Sequence, residues 1–370
     1  MRLLKITPFL FAGLLFSCTR PPQKNTAPTS YEINLDSTYA AFPEANVVDY
    51  IALETSESSL IASLTKVIAH DDLIYIWDRI QKKVLMFDTK GCFVKSIHKI
   101  GQGPGEYTEP FDMDVDPQGN VYVYDWGTQS IIKYIDGDAS QHEVLKIGEY
   151  CYDIAVTNRH IYLGNIFREG IPAISLASFD MQTQELKALK ENTLPEAQSL
   201  PYGKHHFFRS DSLIYFYERF RPEIRKISNG LDGDFISFRS QKIPTDEEVK
   251  ALGTEDDPMV KFQKLMQYIS GVSACYETPE YICLTFNSVP EIHSLIRKTD
   301  GSITCSDKGI KGIPPATVCA VQGSHFLANF TPSEKNIEKA VGCTTDPSLQ
   351  DKLKELTEES NPVLVVFDIK

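Results

Sequence analysis

Asp72-Leu-Ile-Tyr-Ile-Trp-Asp78, followed by Val84-Leu-Met-Phe-Asp88, recurs as Asn120-Val-Tyr-Val-Tyr-Asp125, followed by Ile131-Ile-Lys-Tyr134. The copies stay in register: Tyr75 aligns with Tyr122, Trp77 with Tyr124, Asp78 with Asp125 and Phe87 with Tyr134, always 47 residues apart. Each copy is a polar turn, an alternating strand, a second turn and another strand. Looser copies are His160-Ile-Tyr-Leu163 with 173–180, Ser212-Leu-Ile-Tyr-Phe-Tyr217 with 223–227, Glu280-Tyr-Ile-Cys-Leu284 with 291–297, and His325-Phe-Leu-Ala328 with 363–368. Strand pairs repeating at this period predict a β-propeller, and six units predict six blades.

The physical reason lies in the strands themselves. In 73–77 both alternating faces are apolar, so one sheet cannot bury itself alone. Stacking each sheet between two neighbours buries both faces, and closing the stack into a ring leaves no bare end. Val47-Val-Asp-Tyr-Ile-Ala-Leu53 precedes the first unit and is expected to supply the outer strand of the last blade. The strand 363–368 would then lie beside it and lock the ring. A pair of β-sandwiches is the competing architecture, and the 47-residue register argues against it.

Composition agrees with an all-β globular body. Of 370 residues, 42% are hydrophobic and 11% aromatic, and aromatic side chains favour pleated sheets. Acidic side chains outnumber basic ones 50 to 37, for a net charge of −13. Such a surface lacks the basic footprint that phosphate backbones require, so nucleic-acid binding is not expected.

The N-terminus carries an address. Arg2 and Lys5 precede an apolar run at 6–16, too short to span a bilayer, which takes about 20 residues. It suits the hydrophobic region of a secretory signal. Leu15-Phe16-Ser17-Cys18 follows at once, and the whole resembles a bacterial lipoprotein signal in which Cys18 is lipidated and becomes the mature N-terminus. An ordinary cleaved signal with a coincidental Cys is the other reading. Residues 19–30 are rich in Pro, Thr, Gln and Asn without apolar periodicity, as expected of a flexible tether. The expected organisation is thus a signal at 1–17, a tether at 18–30 and a propeller at 31–370. Cleavage removes two basic residues and no acidic one, so the lipid rather than headgroup attraction would hold the body to a membrane.

Seven further cysteines stand at 92, 151, 275, 283, 305, 319 and 343. The odd number leaves at least one thiol unpaired within the chain. No CxxC or zinc-ligand spacing occurs. Small buried core residues are the expectation for most, with a Cys275–Cys283 disulfide left open.

Two insertions interrupt the period. Thr245-Asp-Glu-Glu248 has the capping-box pattern, and Asp257-Pro258 is an N-cap followed by a first-turn proline. Met259, Phe262, Leu265, Met266 and Ile269 then recur at helical spacing, which places helices between blades 4 and 5. Within the last blade, Ser333 is expected to cap a short helix ending at Gly342. Asp346-Pro347 starts another, with Leu349, Leu353 and Leu356 on one face. Packing on the parent domain is the expected use of these stripes, with a lid over one end of the channel as the alternative.

Phe111-Asp-Met-Asp-Val-Asp-Pro-Gln-Gly-Asn-Val-Tyr-Val-Tyr-Asp125 resembles an NHL-type propeller repeat, with Asp116, Gly119, Asn120 and Asp125 at its turn and strand positions. Gly119-Asn120 suits the positive φ of a tight hairpin. Ile100-Gly-Gln-Gly-Pro-Gly-Glu-Tyr107, Leu53-Glu-Thr55 and Asn361-Pro-Val-Leu-Val-Val-Phe-Asp-Ile-Lys370 together look like the six-bladed β-propeller lipoproteins abundant in Bacteroidetes. That resemblance implies an envelope protein, anchored most readily to the outer membrane, and implies no reaction, because the family is defined by architecture.

Chemistry is sparse. Gly101-Gln-Gly-Pro-Gly105 lacks the Lys-Ser/Thr of a P-loop and no helical pattern follows it, so it reads as a glycine-shaped crossover between blades 1 and 2. Gln102, Glu106 and Tyr107 on that loop are candidate ligand contacts at the channel mouth. Arg219-Phe-Arg-Pro-Glu223 is expected at a hairpin tip, either solvated or offering Arg219 and Arg221 to a carboxylate or sugar. No G-x-S-x-G elbow and no sialidase-type Asp box occurs. His205-His206 is the most metal-like feature, but adjacent strand residues point to opposite faces. A metal would need one of them plus carboxylates such as Glu218 or Glu223. No catalytic residue, metal ligand or cofactor is assigned. The sequence therefore favours a lipid-anchored extracytoplasmic propeller that binds a protein, peptide or glycan. A metal-dependent hydrolase or lyase at the mouth of the central channel is the alternative, since loops from several blades converge there.

Replacing Cys18 with Ser is expected to abolish incorporation of a clickable fatty acid and to release the chain into the aqueous phase of a detergent partition. Unchanged labelling would exclude lipidation at Cys18.

Overall fold

In a computed structural model the chain forms six antiparallel sheets arranged radially as the blades of a β-propeller. The structure describes residues 30–37, 42–200, 206–227 and 231–370. The signal, Cys18, the tether up to residue 29 and His205 lie outside them.

Two strands precede the first blade, β1 (Tyr31–Asn34) and β2 (Ala45–Ala52). Blade 1 comprises β3 (Lys66–His70), β4 (Leu73–Asp78), β5 (Lys83–Asp88) and β6 (Phe93–Ile97). Blade 2 comprises β7 (Pro110–Val115), β8 (Val121–Asp125), β9 (Ser130–Tyr134) and β10 (His142–Lys146). Blade 3 comprises β11 (Asp153–Val156), β12 (His160–Arg168), β13 (Ile171–Asp180) and β14 (Leu186–Glu191). Blade 4 comprises β15 (Phe207–Ser210), β16 (Leu213–Tyr217), β17 (Glu223–Ile227) and β18 (Leu231–Arg239). Helices α1 (Asp246–Gly253) and α2 (Pro258–Leu265) then lead to blade 5, formed by β19 (Gly271–Glu277), β20 (Tyr281–Asn287), β21 (Ile292–Arg297) and β22 (Ile303–Ser306). Blade 6 contains β23 (Thr317–Gln322) and β24 (His325–Phe330), then helices α3 (Glu334–Gly342) and α4 (Pro347–Lys354), then β25 (Val363–Ile369). Its fourth strand is β2, paired antiparallel from Ala45↔Ile369 to Ala52↔Val363. The expected closure therefore holds. A feature absent from the sequence reading is β1, which adds in parallel to β18 and covers the outer edge of blade 4.

Each blade begins on its inner strand and steps outward, so connections between blades and the turns joining second to third strands emerge at one end of the ring. We call it the upper end. First and third hairpin turns emerge at the lower end.

Alternation explains the stacking. Tyr75 and Trp77 of β4 pack with Met113, Val123 and Tyr134 of blade 2. Ile74 and Ile76, on the other face, pack with Leu327, Leu364 and Val366 of blade 6. Burying a large apolar side chain contributes about 1.5–3 kcal/mol, and every blade presents two such faces. The aligned aspartates also share a role. Asp78 accepts Gln81 N at 3.0 Å from its own turn and Ala62 N at 2.7 Å from the incoming loop. Asp125 accepts Thr128 N at 3.2 Å and Glu109 N at 2.6 Å in the same way. Each buried carboxylate thus ties a turn to the crossover entering its blade. At the lower turn of blade 2, Gly119 takes φ 81° as expected. Asn120 instead donates to Asp116 Oδ2 at 2.8 Å and accepts Asp136 N at 3.0 Å.

All four helices start at their expected caps, including the reciprocal Thr245–Glu248 box. Leu265 is buried, whereas Met259 and Met266 are exposed, so the α2 stripe packs only in part. Helix α3 accepts a hydrogen bond from Tyr50 of β2 at Ala340 O, and Lys352 of α4 donates to Tyr50 O. This pair therefore sits on the outermost strand of blade 6 rather than over the axis as a lid.

Cys275 and Cys283 are free. Cys275 faces the core between blades 4 and 5, and Cys283 faces the core between blades 5 and 6, on opposite sides of one sheet. That geometry excludes the disulfide. Cys275→Ala is accordingly expected to cost about 1–2 kcal/mol, with the same loss of Tm in the presence and absence of reductant. A reductant-dependent loss would contradict this placement.

Candidate functional site

The channel wall is built from the inner strands, whose inward edges have no strand partner. Carboxylates of one blade meet the backbone of the next. Asp112 Oδ2 accepts Ile154 N at 2.9 Å, Asp114 Oδ2 accepts Val156 N at 2.6 Å, and Asp153 Oδ2 accepts His206 N at 2.5 Å. These three aspartates are almost fully buried, and each carries a counter-charge or ring partner. Lys66 Nζ donates to both oxygens of Asp112 at 3.1 and 2.9 Å and to Met113 O at 2.8 Å. Arg209 forks onto Asp114, with Nε to Oδ1 at 3.0 Å, and also donates to Val156 O at 2.6 Å. Burial lowers the pKa of Lys66, but Asp112, Asp114 and Asp153 outweigh it and hold the ammonium above its ordinary value.

His206, the metal-like residue, belongs to this network. Its Nδ1 lies 2.9 Å from Asp153 Oδ1 and its Nε2 lies 2.9 Å from Asn165 Nδ2. With the amide donating to Nε2, the ring proton sits on Nδ1 and points at the carboxylate. Both nitrogens are used. Glu218 is engaged by Ser175 and Lys190, and Glu223 by Arg225. Among the described residues no group of three or more His, Cys, Asp or Glu side chains is placed to hold a metal ion. Pairing within the wall gives these carboxylates a structural role.

Two of the loop candidates, Tyr107 and Glu106, are equally committed. Tyr107 is fully buried; its hydroxyl donates to Lys82 O at 2.8 Å and accepts Lys99 N at 3.0 Å. It therefore bolts the crossover to blade 1 instead of facing the channel mouth, correcting the expectation. Glu106 turns back to accept Gly103 N at 2.8 Å. A Cβ at Gly101 would sit 1.9 Å from that carboxylate, so a larger residue there would push the Glu106 side chain out of this position. Gln102 is exposed. Arg219, expected at a solvated or ligand-facing tip, is 1% exposed and donates to Ala197 O, Leu200 O and Ser270 O at 2.9 to 3.1 Å. Burial lowers its pKa to about 10. Arg221 pairs with Asp246 of α1 at 2.8 Å and with Thr193 Oγ1 at 2.7 Å. Both arginines dock the helical insertion onto blades 3 to 5.

What the upper end does present was not legible. Phe111, Trp126, Tyr150, Tyr152 and Phe167 gather from blades 2 and 3, with Trp126 centred 4.9 Å from Phe111 and 5.0 Å from Tyr150. Tyr152 meets Phe167 edge-on at 5.0 Å, and the Arg79 guanidinium of blade 1 lies 4.2 Å above Phe111. Tyr150 is exposed and the other four rings are half-buried. Opposite, between blades 5 and 6, lies a polar cavity of about 670 Å³. It shares Thr317 and Asn329 with the cavity of about 160 Å³ inside the channel. Glu291 on its rim also borders a dent of about 260 Å³ formed by Phe262, Met266 and Val289.

Fold and site together define a six-bladed propeller with an internally braced channel and a feature-rich upper end. The chain belongs to the family described as a domain of unknown function, DUF4934, whose model matches residues 34–368. No curated protein matches it. A solved protein described as exported, from Bacteroides fragilis NCTC 9343, is similar in structure with a TM-score of 0.73 at 15% identity, over 92% of this chain and 99% of that one. A member of the duf4221 family from Bacteroides vulgatus ATCC 8482 gives a TM-score of 0.55 at 11% identity, over 89% of this chain and 99% of that one.

Lys66→Met should destabilise the protein by about 3–5 kcal/mol, because it strands Asp112 in the wall. The double variant with Asp112→Leu should recover part of that loss in urea denaturation. Since folding raises the Lys66 pKa, its contribution is complete below the ordinary lysine value of 10.5 and is lost as pH rises through the folded value.

Proposed function

We propose that the protein is a lipid-anchored, extracytoplasmic binding module of the bacterial envelope, held at the outer membrane by its N-terminal lipid, that engages a protein, peptide or glycan through its upper end. One observation carries this reading. Exposed large apolar side chains sort by position: Leu60, Ile80, Ile100, Tyr150, Ile171, Met259, Met266 and Val289 all stand at upper-end connections. Val48, Val94 and Val144 stand on outermost strands, and among the described residues none stands at the lower end. Apolar exposure concentrated on one face is the signature of an interaction surface.

The aromatic cluster strengthens the reading. Rigid rings offer large contact area at small entropic cost, and guanidinium stacking adds a polar handle. The pairing of the channel carboxylates also supports binding over catalysis, since a general acid or base must be free to exchange its proton with a substrate. An extracytoplasmic setting accords with the signal and with the exported Bacteroides protein that shares the fold.

A photo-reactive amino acid placed at Ile80, Tyr150 or Val289 in living cells is expected to cross-link a discrete partner. The same probe at Gln118 or Gln184, in lower-end turns, should give none. Equal labelling from both ends would refute an upper-end binding face.

A further inference from the structure

We propose that the polar cavity between the upper ends of blades 5 and 6 is a binding site for a short neutral oligosaccharide. The cavity, about 670 Å³, falls within the range of small-molecule sites, about 300–1,000 Å³. Its walls come from three separate segments: the start of β21, the connection 307–316 with the first residue of β23, and the end of β24 leading into α3.

The chemistry of the lining selects the ligand. His293, 8% exposed, is anchored through Nδ1, 3.2 Å from Thr285 Oγ1. Its Nε2 lies 3.7 Å from Glu291 Oε2, beyond hydrogen-bond reach, and so keeps its capacity for a ligand. Burial lowers the His293 pKa and favours the neutral ring. Asn329 and Asn336 each spend one amide hydrogen on the frame, on Thr317 O at 3.3 Å and Thr331 O at 3.0 Å, which fixes both amides in place. Ile313 and Phe330 are buried beneath. Orienting amides and an imidazole beside an apolar floor match a pyranose, which has a hydroxyl rim and an apolar C–H face.

Charge and backbone disfavour the alternatives. Glu291 and Asp307 outnumber Lys308, so a phosphate, sulfate or uronate would meet net repulsion. Pro314-Pro315 on the wall lack N–H groups, so this side cannot pair with an added peptide strand. The site lies at the same end of the ring as the apolar surface proposed above and meets it at Glu291, which also borders the dent formed with Met266 and Val289.

The test uses the full mature chain in detergent, titrated calorimetrically with maltotriose, cellotriose, xylotriose and triacetylchitotriose, with trigalacturonate as the anionic probe. At least one neutral trisaccharide should bind at 1:1 stoichiometry. Asn329→Ala and Asn336→Ala should each weaken it tenfold or more, while Gln118→Ala at the lower end leaves it unchanged. His293→Leu should likewise weaken binding tenfold or more provided its melting curve stays cooperative; the two amide variants decide the matter if it does not. Absence of binding by all four neutral probes, equal binding of trigalacturonate, or loss of binding in Trp126→Ala but not in Asn329→Ala would each overturn the assignment. The last outcome would place the sugar on the aromatic cluster and leave the binding reading of the upper end standing.

Discussion

A ring of stacked sheets depends on joining its first blade to its last, and here the pairing of β2 with β25 makes that join. Seven residue pairs, from Ala45↔Ile369 to Ala52↔Val363, link the two ends of the chain in one sheet. Both strands are core elements: Tyr50, Ile51, Val363, Leu364 and Val365 are all 3% exposed or less. Without this pairing blade 6 would keep an open edge and blade 1 would lose its neighbour, exposing Ile74 and Ile76 on one side and Leu364 and Val366 on the other. The rim repeats the principle. Glu54 N, just past β2, donates to Gly91 O of blade 1 at 2.8 Å, and Ala45 N donates to Lys311 O beside blade 5 at the same distance. Blade 6 is thereby stitched to both neighbours.

Closure at the rim leaves a second problem at the axis. Inner strands have one edge without a strand partner, and a buried N–H left unmatched costs about 1–3 kcal/mol. Asp112, Asp114 and Asp153 solve it by reaching from one inner strand to the backbone of the next. Buried carboxylates bring their own desolvation penalty, which Lys66 and Arg209 offset from flanking blades. The resulting acid–base lattice runs across blades 1 to 4, from Lys66 through Asp112, Asp114 and Asp153 to His206 and Arg209. Three carboxylates face two cations and the His206 ring, and each carboxylate also accepts a backbone N–H from the next blade.

How far this was legible follows from how local each feature is. Tyr75, Trp77 and their partners 47 residues on are set by alternation within single strands, so blades, closure and helix caps could all be read from neighbouring residues. Asp112 and Asp114 carried a visible signal, two acids spaced by two on a strand, but their partners Lys66 and Arg209 lie in other blades and no local pattern points to them. Tyr107 and Arg219 misled for a related reason. A tyrosine beside a glycine loop and an arginine in a turn look exposed until the neighbouring blade and the helical insertion cover them. The aromatic cluster was invisible because its five rings come from four separate stretches of chain, at 111, 126, 150–152 and 167.

The two ends of the ring obey different constraints, and this difference bears on function. Lower turns join adjacent strands of one sheet and are held to tight geometries, as positive φ at Asp71, Gly119, Asp211 and Gly323 attests. Some upper turns are equally short, as at 169–170, but the connections between blades must carry the chain from the outer rim of one blade back to the axis of the next, a path that no two-residue turn can cover. Length is therefore obligatory in those connections, and additional length can be accommodated at the upper end without disturbing strand register. The segment 240–270 with α1 and α2, and 331–362 with α3 and α4, are extreme cases of that freedom. Asp78, Asp125, Tyr107 and Arg219 consume their polar groups in rigidifying these connections. The side chains left over, Ile80, Tyr150, Val289 and the lining of the cavity beside His293, are held on a stiff frame without being needed by it. A fixed frame presenting uncommitted side chains loses little entropy when a partner docks, so selection for binding would act at the upper end and leave the lower one plain.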